Sequence, residues 1–278
     1  MPHFVFVNDS LVPADEASLL IGDLAIQRGY GIFDFFKTMD GEPVYLDEHL
    51  DRFFHSAAAM RLDAGVNRVE LKQRIGALLE RNGIANSGVR LTLTGGYSPD
   101  GYSLAQPNLV IHQSLLAVPV SAEPTHSIRL MTYPHLRQLP EVKTIDYLVA
   151  IWLQPLLREK GADDVLYHRD GVIAECPRSN FFLLTDRDVL VTPGTNILKG
   201  ITRMKVLEAV NGRLATEERE VLLAELTSAN EVFITSTTKH VVPVTEVDGV
   251  RIGDGRIGPV AKWVSAELYK RAAPYGRR

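Results

Sequence analysis

Hairpins constrain this chain more than any other feature of its sequence. Asp40-Gly41 separates residues 32–37 from 43–46, and Asp170-Gly171 separates 165–168 from 172–175. Asp-Gly supplies the two positive φ values of a tight two-residue turn, so each stretch predicts a pair of antiparallel strands. Further β-like runs lie at 4–7, 89–94, 109–111, 128–132, 180–184, 189–191, 232–235 and 241–247. Apolar residues at helical spacing mark fewer segments. Leu46, Leu50, Phe53, Phe54, Ala57 and Met60 form one helical face, and 69–79, 145–159, 202–210 and 257–269 also read as helices. Strands outnumber helices in both halves, which predicts an α+β fold and excludes strict β-α-β alternation.

The run Pro119-Val120-Ser121-Ala122-Glu123-Pro124-Thr125-His126 carries two prolines among small polar residues between two β-like runs. It reads as a linker. The expected organisation is a small N-terminal α/β domain, 1–118, a linker, 119–127, and a larger domain, 128–278, a division that 278 residues can support. Thirty basic and 34 acidic residues leave a net charge of −4, too balanced for a surface that holds a polyanion. Nucleic acid and anionic membrane are therefore not expected partners. The single cysteine, Cys176, excludes an intrachain disulfide, and eight histidines without ligand spacing point to no metal site. The first nine residues lack a basic stretch followed by an apolar one, and no apolar run approaches ~20 residues, so a cytoplasmic location is expected.

No G-x-x-x-x-G-K-[ST], G-x-S-x-G or H-E-x-x-H motif is present. Four segments are nevertheless unusual for surface loops. In Glu141-Val142-Lys143-Thr144-Ile145 a lysine follows an apolar residue at a loop-to-helix junction. In Glu175-Cys176-Pro177-Arg178-Ser179-Asn180 a carboxylate ends one strand before an apolar strand resumes. Lys199-Gly200-Ile201-Thr202-Arg203 places a glycine before a helix start, where free backbone N–H groups can face an anion. Thr235-Ser236-Thr237-Thr238 sets four hydroxyls at a strand end. Taken singly, each has an ordinary reading: a solvated lysine, a hairpin end, a hydrated helix start, a β-edge.

Together, in this order, and with Gly31-Ile32-Phe33-Asp34 and Glu48-His49-Leu50-Asp51-Arg52 upstream, they resemble the fold-type IV enzymes that use pyridoxal 5'-phosphate (PLP). That family includes D-amino-acid aminotransferases, branched-chain aminotransferases and aminodeoxychorismate lyases. The resemblance implies a two-domain fold with PLP in the cleft between domains, a homodimer, and amino-acid and 2-oxo-acid substrates. Lys143 matches the lysine that forms the Schiff base, and once displaced its amine is placed to move a proton. Glu175 matches the carboxylate beside the pyridine nitrogen, whose charge favours the protonated, electron-withdrawing ring. Arg52 matches the phosphate-binding arginine, able to pair with two phosphate oxygens. Ser179, Asn180, Gly200, Ile201, Thr202, Ser236 and Thr237 complete the cofactor set. Tyr147 is a weaker match to a tyrosine near the cofactor's phenolic oxygen, because its spacing from Lys143 is one residue short.

The resemblance is nearest to the D-amino-acid aminotransferases, with two departures. Asp100 and Tyr102 stand where that subgroup carries an arginine and a histidine, and an acid cannot hold a substrate carboxylate at neutral pH. Phe33 replaces the subgroup's active-site tyrosine. The α-carboxylate still requires donors. Arg90 and Arg28 are the first candidates, Arg28 acting across a dimer interface, with Arg178 and Lys239 behind them. The implied function is a D-amino-acid transaminase with a changed carboxylate site. A branched-chain L-aminotransferase and an aminodeoxychorismate-type lyase are the alternatives, and a non-catalytic small-molecule binder is the reading from another class. Cys176 follows Glu175 directly, so its oxidation is expected to disturb the cofactor.

Overall fold

A computed structural model describes residues 3–117, 122–272 and Tyr275. The chain forms two compact units. The first comprises Met1–Val118, Val142–Asp146 and Pro274–Arg278, and the second comprises Pro119–Glu141 and Tyr147–Ala273. The expected linker lies partly outside the described residues, and the expected continuous domain 128–278 is interrupted, because Val142–Asp146 packs with the first unit.

The first unit runs β1 (Phe4–Val7), β2 (Ser10–Pro13), α1 (Leu24–Arg28), β3 (Gly31–Met39), β4 (Glu42–Pro43), α2 (Leu46–Ala59), α3 (Arg68–Asn82), β5 (Ser87–Thr94) and β6 (Leu109–Leu115). Its six strands form one antiparallel sheet in the order β2-β1-β6-β5-β3-β4. Strand β3 decides how the unit is built, because alternate side chains leave opposite faces of a strand. Ile32 and Phe36 enter a core with Leu91, Leu93 and Ile111, closed by Leu50 and Phe53 of α2 and by Leu71, Ile75 and Leu78 of α3. Each such side chain contributes about 1.5–3 kcal/mol on burial. Phe33, Phe35 and Lys37 leave the other face. Helix α3 starts in a capping box, with Asn67 accepting from Val69 and Glu70 N–H, and ends at Gly83 in the left-handed conformation.

The second unit runs β7 (Ile128–Pro134), α4 (Leu148–Trp152), α5 (Gln154–Lys160), β8 (Asp164–Arg169), β9 (Val172–Ile173), β10 (Asn180–Leu184), β11 (Val189–Pro193), α6 (Ile201–Val210), β12 (Ala215–Arg219), a 3-10 turn at Leu223–Ser228, β13 (Glu231–Ser236), β14 (His240–Val247), β15 (Val250–Arg251) and α7 (Pro259–Ala272). Nine strands make a mixed sheet in the order β12-β11-β10-β13-β14-β7-β8-β9, with β15 on β14. Phe181 and Leu183 face one cluster with Ile234 and Val242, while Phe182 and Phe233 face another built by α6 and α7. Both faces are covered, so β10 and β13 read as nearly continuous apolar runs. Phe182 and Phe233 sit opposite each other and stack at 5.1 Å.

The hairpin turns match their chemistry. Asp40 and Gly41 take φ of 49° and 86°, and Asp170 and Gly171 take 53° and 83°. The helix expected over 145–159 is shorter and divided. Ile145 is taken up by the first unit, where its N–H donates to Gly31 O at 3.1 Å. Pro155 has no N–H to continue the helix, so the remainder splits into α4 and α5 at Leu153. Strand β4 is only two residues long, because the chain enters α2 at Leu46. Among the described residues, no helix is long and apolar enough to cross a membrane.

Two glycines separate conformational need from indifference. Gly96 has φ +80°, and a Cβ there would lie 2.0 Å from Gln106 O, whereas Gly76 inside α3 has nothing within 4 Å of such an atom. Gly96→Ala is expected to cost more than ~1 kcal/mol. Gly76→Ala should stabilise by about 0.5–1 kcal/mol. Urea midpoints of the two variants check the opposite signs.

Candidate active site

In the first unit the candidate residues gather around β3. The segment holding Lys143 lies against the start of that strand. Phe33 N–H donates to Lys143 O at 2.9 Å, Ile145 N–H donates to Gly31 O at 3.1 Å, and Ile32 bridges to Thr144. Lys143 N–H also faces Ser56 Oγ of α2 at 3.3 Å. The Lys143 Nζ consequently sits 4.4 Å from the centroid of the Phe33 ring. Arg90 of β5 stacks on the same ring, its Cζ 3.8 Å from the centroid. Phe33 pairs with Thr92 and Phe35 with Arg90, so Arg90 and Phe33 are diagonal neighbours on one face of the sheet.

Asp34 points to the opposite face and is fully buried. Arg52 grips it with two bonds, Nε to Oδ2 at 2.7 Å and Nη2 to Oδ1 at 2.8 Å, and His49 Nδ1 lies 2.7 Å from Oδ1. His49 and Arg52 are three apart on α2, so one helical face presents both. Burial raises the Asp34 pKa, but the charge and hydrogen bonds of Arg52 and the hydrogen bond from His49 outweigh it and hold the carboxyl well below its usual range. Burial is the main reason the His49 pKa is lowered, aided by the nearby charges of Arg52 and Lys143 and opposed by Asp34. Sequence reasoning found Arg52 but gave no part to Asp34 or His49, although both stand in the quoted motifs.

The second unit organises a carboxylate. Glu175 is buried and held from both oxygens. Arg137 donates to Oε1 through Nε at 2.9 Å and Nη2 at 2.7 Å, while Leu198 N–H at 3.0 Å and Asn180 Nδ2 at 3.4 Å approach Oε2. Asn180 also donates to Leu198 O at 2.7 Å. Gly200 permits this, because a Cβ there would stand 2.1 Å from Asn180 Oδ1. Arg137 was missed from the sequence, where nothing marks a lone arginine in a loop.

Gly200 is the N-cap of α6 and gives no side-chain cap, which leaves the first-turn N–H groups of Ile201 and Thr202 available. The buried hydroxyls of Ser179 and Thr235 have no hydrogen-bond partner among the described residues. Asn180 and Thr235 are direct partners across β10 and β13. Ser236 Oγ accepts from Lys239 N–H at 3.2 Å, closing the turn that carries Thr237. Lys239 Nζ pairs with Asp164 at 3.2 Å. Arg178 is exposed on the tight turn between Cys176 and Ser179. Tyr147 is half-buried and precedes α4. Arg203, the last residue of the glycine-led motif, is buried and structural, tying α6 to Pro193 O and Glu218.

The family model of class IV aminotransferases matches residues 31–247. The chain belongs to the class IV aminotransferases. These enzymes use PLP to move an amino group between an amino acid and a 2-oxo acid. Among curated relatives, the D-alanine aminotransferase of Bacillus licheniformis is 32% identical over 271 residues, covering 95% of each chain. The branched-chain-amino-acid aminotransferase-like protein 1 of Arabidopsis thaliana is 31% identical over 277 residues, covering 96% of this chain and 50% of the relative. The fold is that of the Escherichia coli branched-chain amino acid aminotransferase, with a TM-score of 0.86, 21% identity, and 100% and 96% of the two chains covered. A PLP-bound hypothetical aminotransferase from Mycobacterium tuberculosis matches with a TM-score of 0.83 at 23% identity, covering 98% and 99%.

The donor set of this aminotransferase suits PLP. It offers an uncapped helix start and buried unpartnered hydroxyls for a phosphate, and a doubly held carboxylate for a pyridinium. Protonated opposite such a carboxylate, the bound ring supplies an electron sink. Cys176 is fully buried, and burial raises its thiol pKa well above the ordinary value. The thiol is therefore sheltered and poor in thiolate, so it is an unfavourable target for oxidation.

The Asp34–His49–Arg52 cluster makes the aminotransferase acid-sensitive. Unfolding returns His49 to its ordinary 6.5 and Asp34 to 3.8, both above their folded values. The unfolded chain then binds more protons, so stability falls as the pH drops below about 6.5. Urea midpoints at pH 7 and pH 5 should differ by less in His49→Gln than in the unaltered protein.

Proposed function

We propose that this aminotransferase is a D-amino-acid transaminase of the D-alanine and D-glutamate type, passing the amino group to 2-oxoglutarate or pyruvate. The observation that carries the reading is the Phe33 ring shared by Lys143 Nζ and the Arg90 guanidinium. An α-amino acid presents its amine and its carboxylate one carbon apart, and here an amine and a guanidinium able to pair with a carboxylate share one aromatic platform. Lys143 is the Schiff-base lysine and proton carrier at the substrate's Cα. The α6 start at Ile201 and Thr202 and the Ser236–Thr237 turn take the phosphate. Glu175, held by Arg137, would serve the pyridine nitrogen of the bound cofactor. The similarity to D-alanine aminotransferases along nearly the whole chain supports the D-series substrate.

The loop at 95–107 explains how the carboxylate site differs. Asp100 spends its carboxylate on the loop itself, accepting from Ser98 Oγ, Tyr102 N–H, and the N–H and Oγ of Ser103 at 2.7–3.0 Å. The backbone bond from Ser103 leads in lowering its pKa far below the usual range, so the loop offers an anion. Arg28 supplies the missing cation from α1. A Cβ at Gly101, at the loop tip, would stand 3.7 Å from Arg28 Nη2. Arg28 is exposed, and Leu20, Ile21 and Ile26, close to it in the chain, are 63%, 83% and 57% exposed. Those exposed apolar side chains favour a second copy of this chain as their cover, with Arg28 serving the partner's substrate. Family membership removes the non-catalytic binder; a branched-chain L-aminotransferase is the reading that remains in competition, favoured by Phe33.

Half-reactions followed by cofactor absorbance test the substrate. D-alanine and D-glutamate are expected to convert the cofactor to its amine form much faster than L-leucine, and the reverse order would establish the branched-chain reading. Lys143→Ala should abolish turnover and keep bound PLP. Arg28→Gln and Arg90→Gln should each raise KM for the D-amino acid about 10- to 100-fold, the range for losing a charged hydrogen bond of about 1.5–3 kcal/mol. Sizing over a concentration series checks the dimer.

A further inference from the structure

Loop 95–107 and helix α1 meet at one buried carboxylate that the proposed catalytic set does not use. Asp23 has no exposed surface. Its Oδ1 caps α1 by accepting Ala25 N–H at 2.7 Å. Its Oδ2 accepts from Thr94 Oγ1 at 2.7 Å and from Asn108 Nδ2 at 2.8 Å. Thr94 ends β5 and Asn108 precedes β6, so Asp23 grips both feet of the loop and the start of α1 at once. The joint is reinforced around it. Thr94 Oγ1 accepts from Gly96 N–H at 3.2 Å and from Asn108 N–H at 3.3 Å. Leu24 N–H donates to Gly96 O at 3.0 Å, and Ser98 N–H donates to Gly22 O at 3.2 Å. At the far end of α1, Gln27 and Arg28 rest against the loop tip at Gly101.

We propose that Asp23 is a positioning residue for recognition of the substrate carboxylate. It fixes α1, and with it Arg28, against loop 95–107, and it fixes that loop to the end of the strand that carries Arg90. The inference rests on the assignment of Arg28 and Arg90 to the substrate carboxylate. A carboxylate suits the task because its two oxygens can accept from three donors that converge on it from three segments. An amide in its place turns one acceptor into a donor aimed at two donors. The helix carrying Arg28 has only five residues, too few to hold its own orientation in water without such a tether.

The test uses the PLP-loaded enzyme with Asp23→Asn, Thr94→Val and Arg28→Gln beside the unaltered chain. Asp23→Asn is expected to raise the apparent Kd for D-alanine in the half-reaction about tenfold. The rate at saturation should stay within about threefold, and PLP affinity should not change. Amide hydrogen exchange should accelerate together in 22–28 and 95–107 while β3 and β5 stay protected. Thr94→Val removes one of the three donors and should give a smaller change of the same pattern, and it carries the test if Asp23→Asn does not fold. Unchanged Kd and exchange, or a fall in saturating rate and PLP affinity together, overturns the proposal. If exchange accelerates as expected but Arg28→Gln leaves Kd unchanged, the carboxylate role is overturned and the fault lies with Arg28.

Discussion

Three backbone contacts between residues 143–145 and the start of β3 organise the candidate site of the first unit. They place Lys143 beside Phe33 without asking any side chain to hold it. A sheet edge is a stiff reference, and main-chain bonds to it fix position to within fractions of an ångström. The two faces of β3 then divide the labour. Phe33 carries the lysine and Arg90 on one side. Asp34, one residue on, locks Arg52 and His49 on the other. A slip of one residue in register would exchange the faces and bury the aromatic where the carboxylate belongs.

The second unit uses a different device. Its central strands β10 and β13 are covered on both sides, so their polar residues lie toward the strand ends. Glu175 shows how far this goes: a guanidinium holds one oxygen, and a main-chain N–H and an amide approach the other. Such a carboxylate can be buried because it arrives already paired. The hydroxyls of Ser179 and Thr235 stand apart in having no partner among the described residues, and a ligand's polar atoms would supply what the protein does not.

Much of this was legible in the sequence, and the remainder failed for identifiable reasons. The Asp-Gly turns, the helical spacing of α3 and the apolar runs of β10 and β13 are local signals, and local physics decides them. The helix expected at 145–159 failed because an apolar period cannot report that its first residue is claimed by a distant sheet. The motif residues Lys143, Glu175 and Arg52 stood out by order and type. Asp34 and Arg137, which hold Arg52 and Glu175, did not, and neither did Asp23, since what distinguishes them is burial and convergence on partners from segments far apart in the chain. Arg203 shows the converse: a residue inside a motif whose work is structural.

The five residues Val142–Asp146 belong to a unit whose other strands end by residue 115. During synthesis the first sheet can therefore assemble while its lysine is still unmade. The segment arrives only after β7 has been translated, and it joins a surface that already exists. Ordering of the Lys143 amine is thus a late, non-local event in folding, paid for by a long loop closure. A chain interrupted before residue 146 would possess a nearly finished first unit with no amine on its aromatic platform.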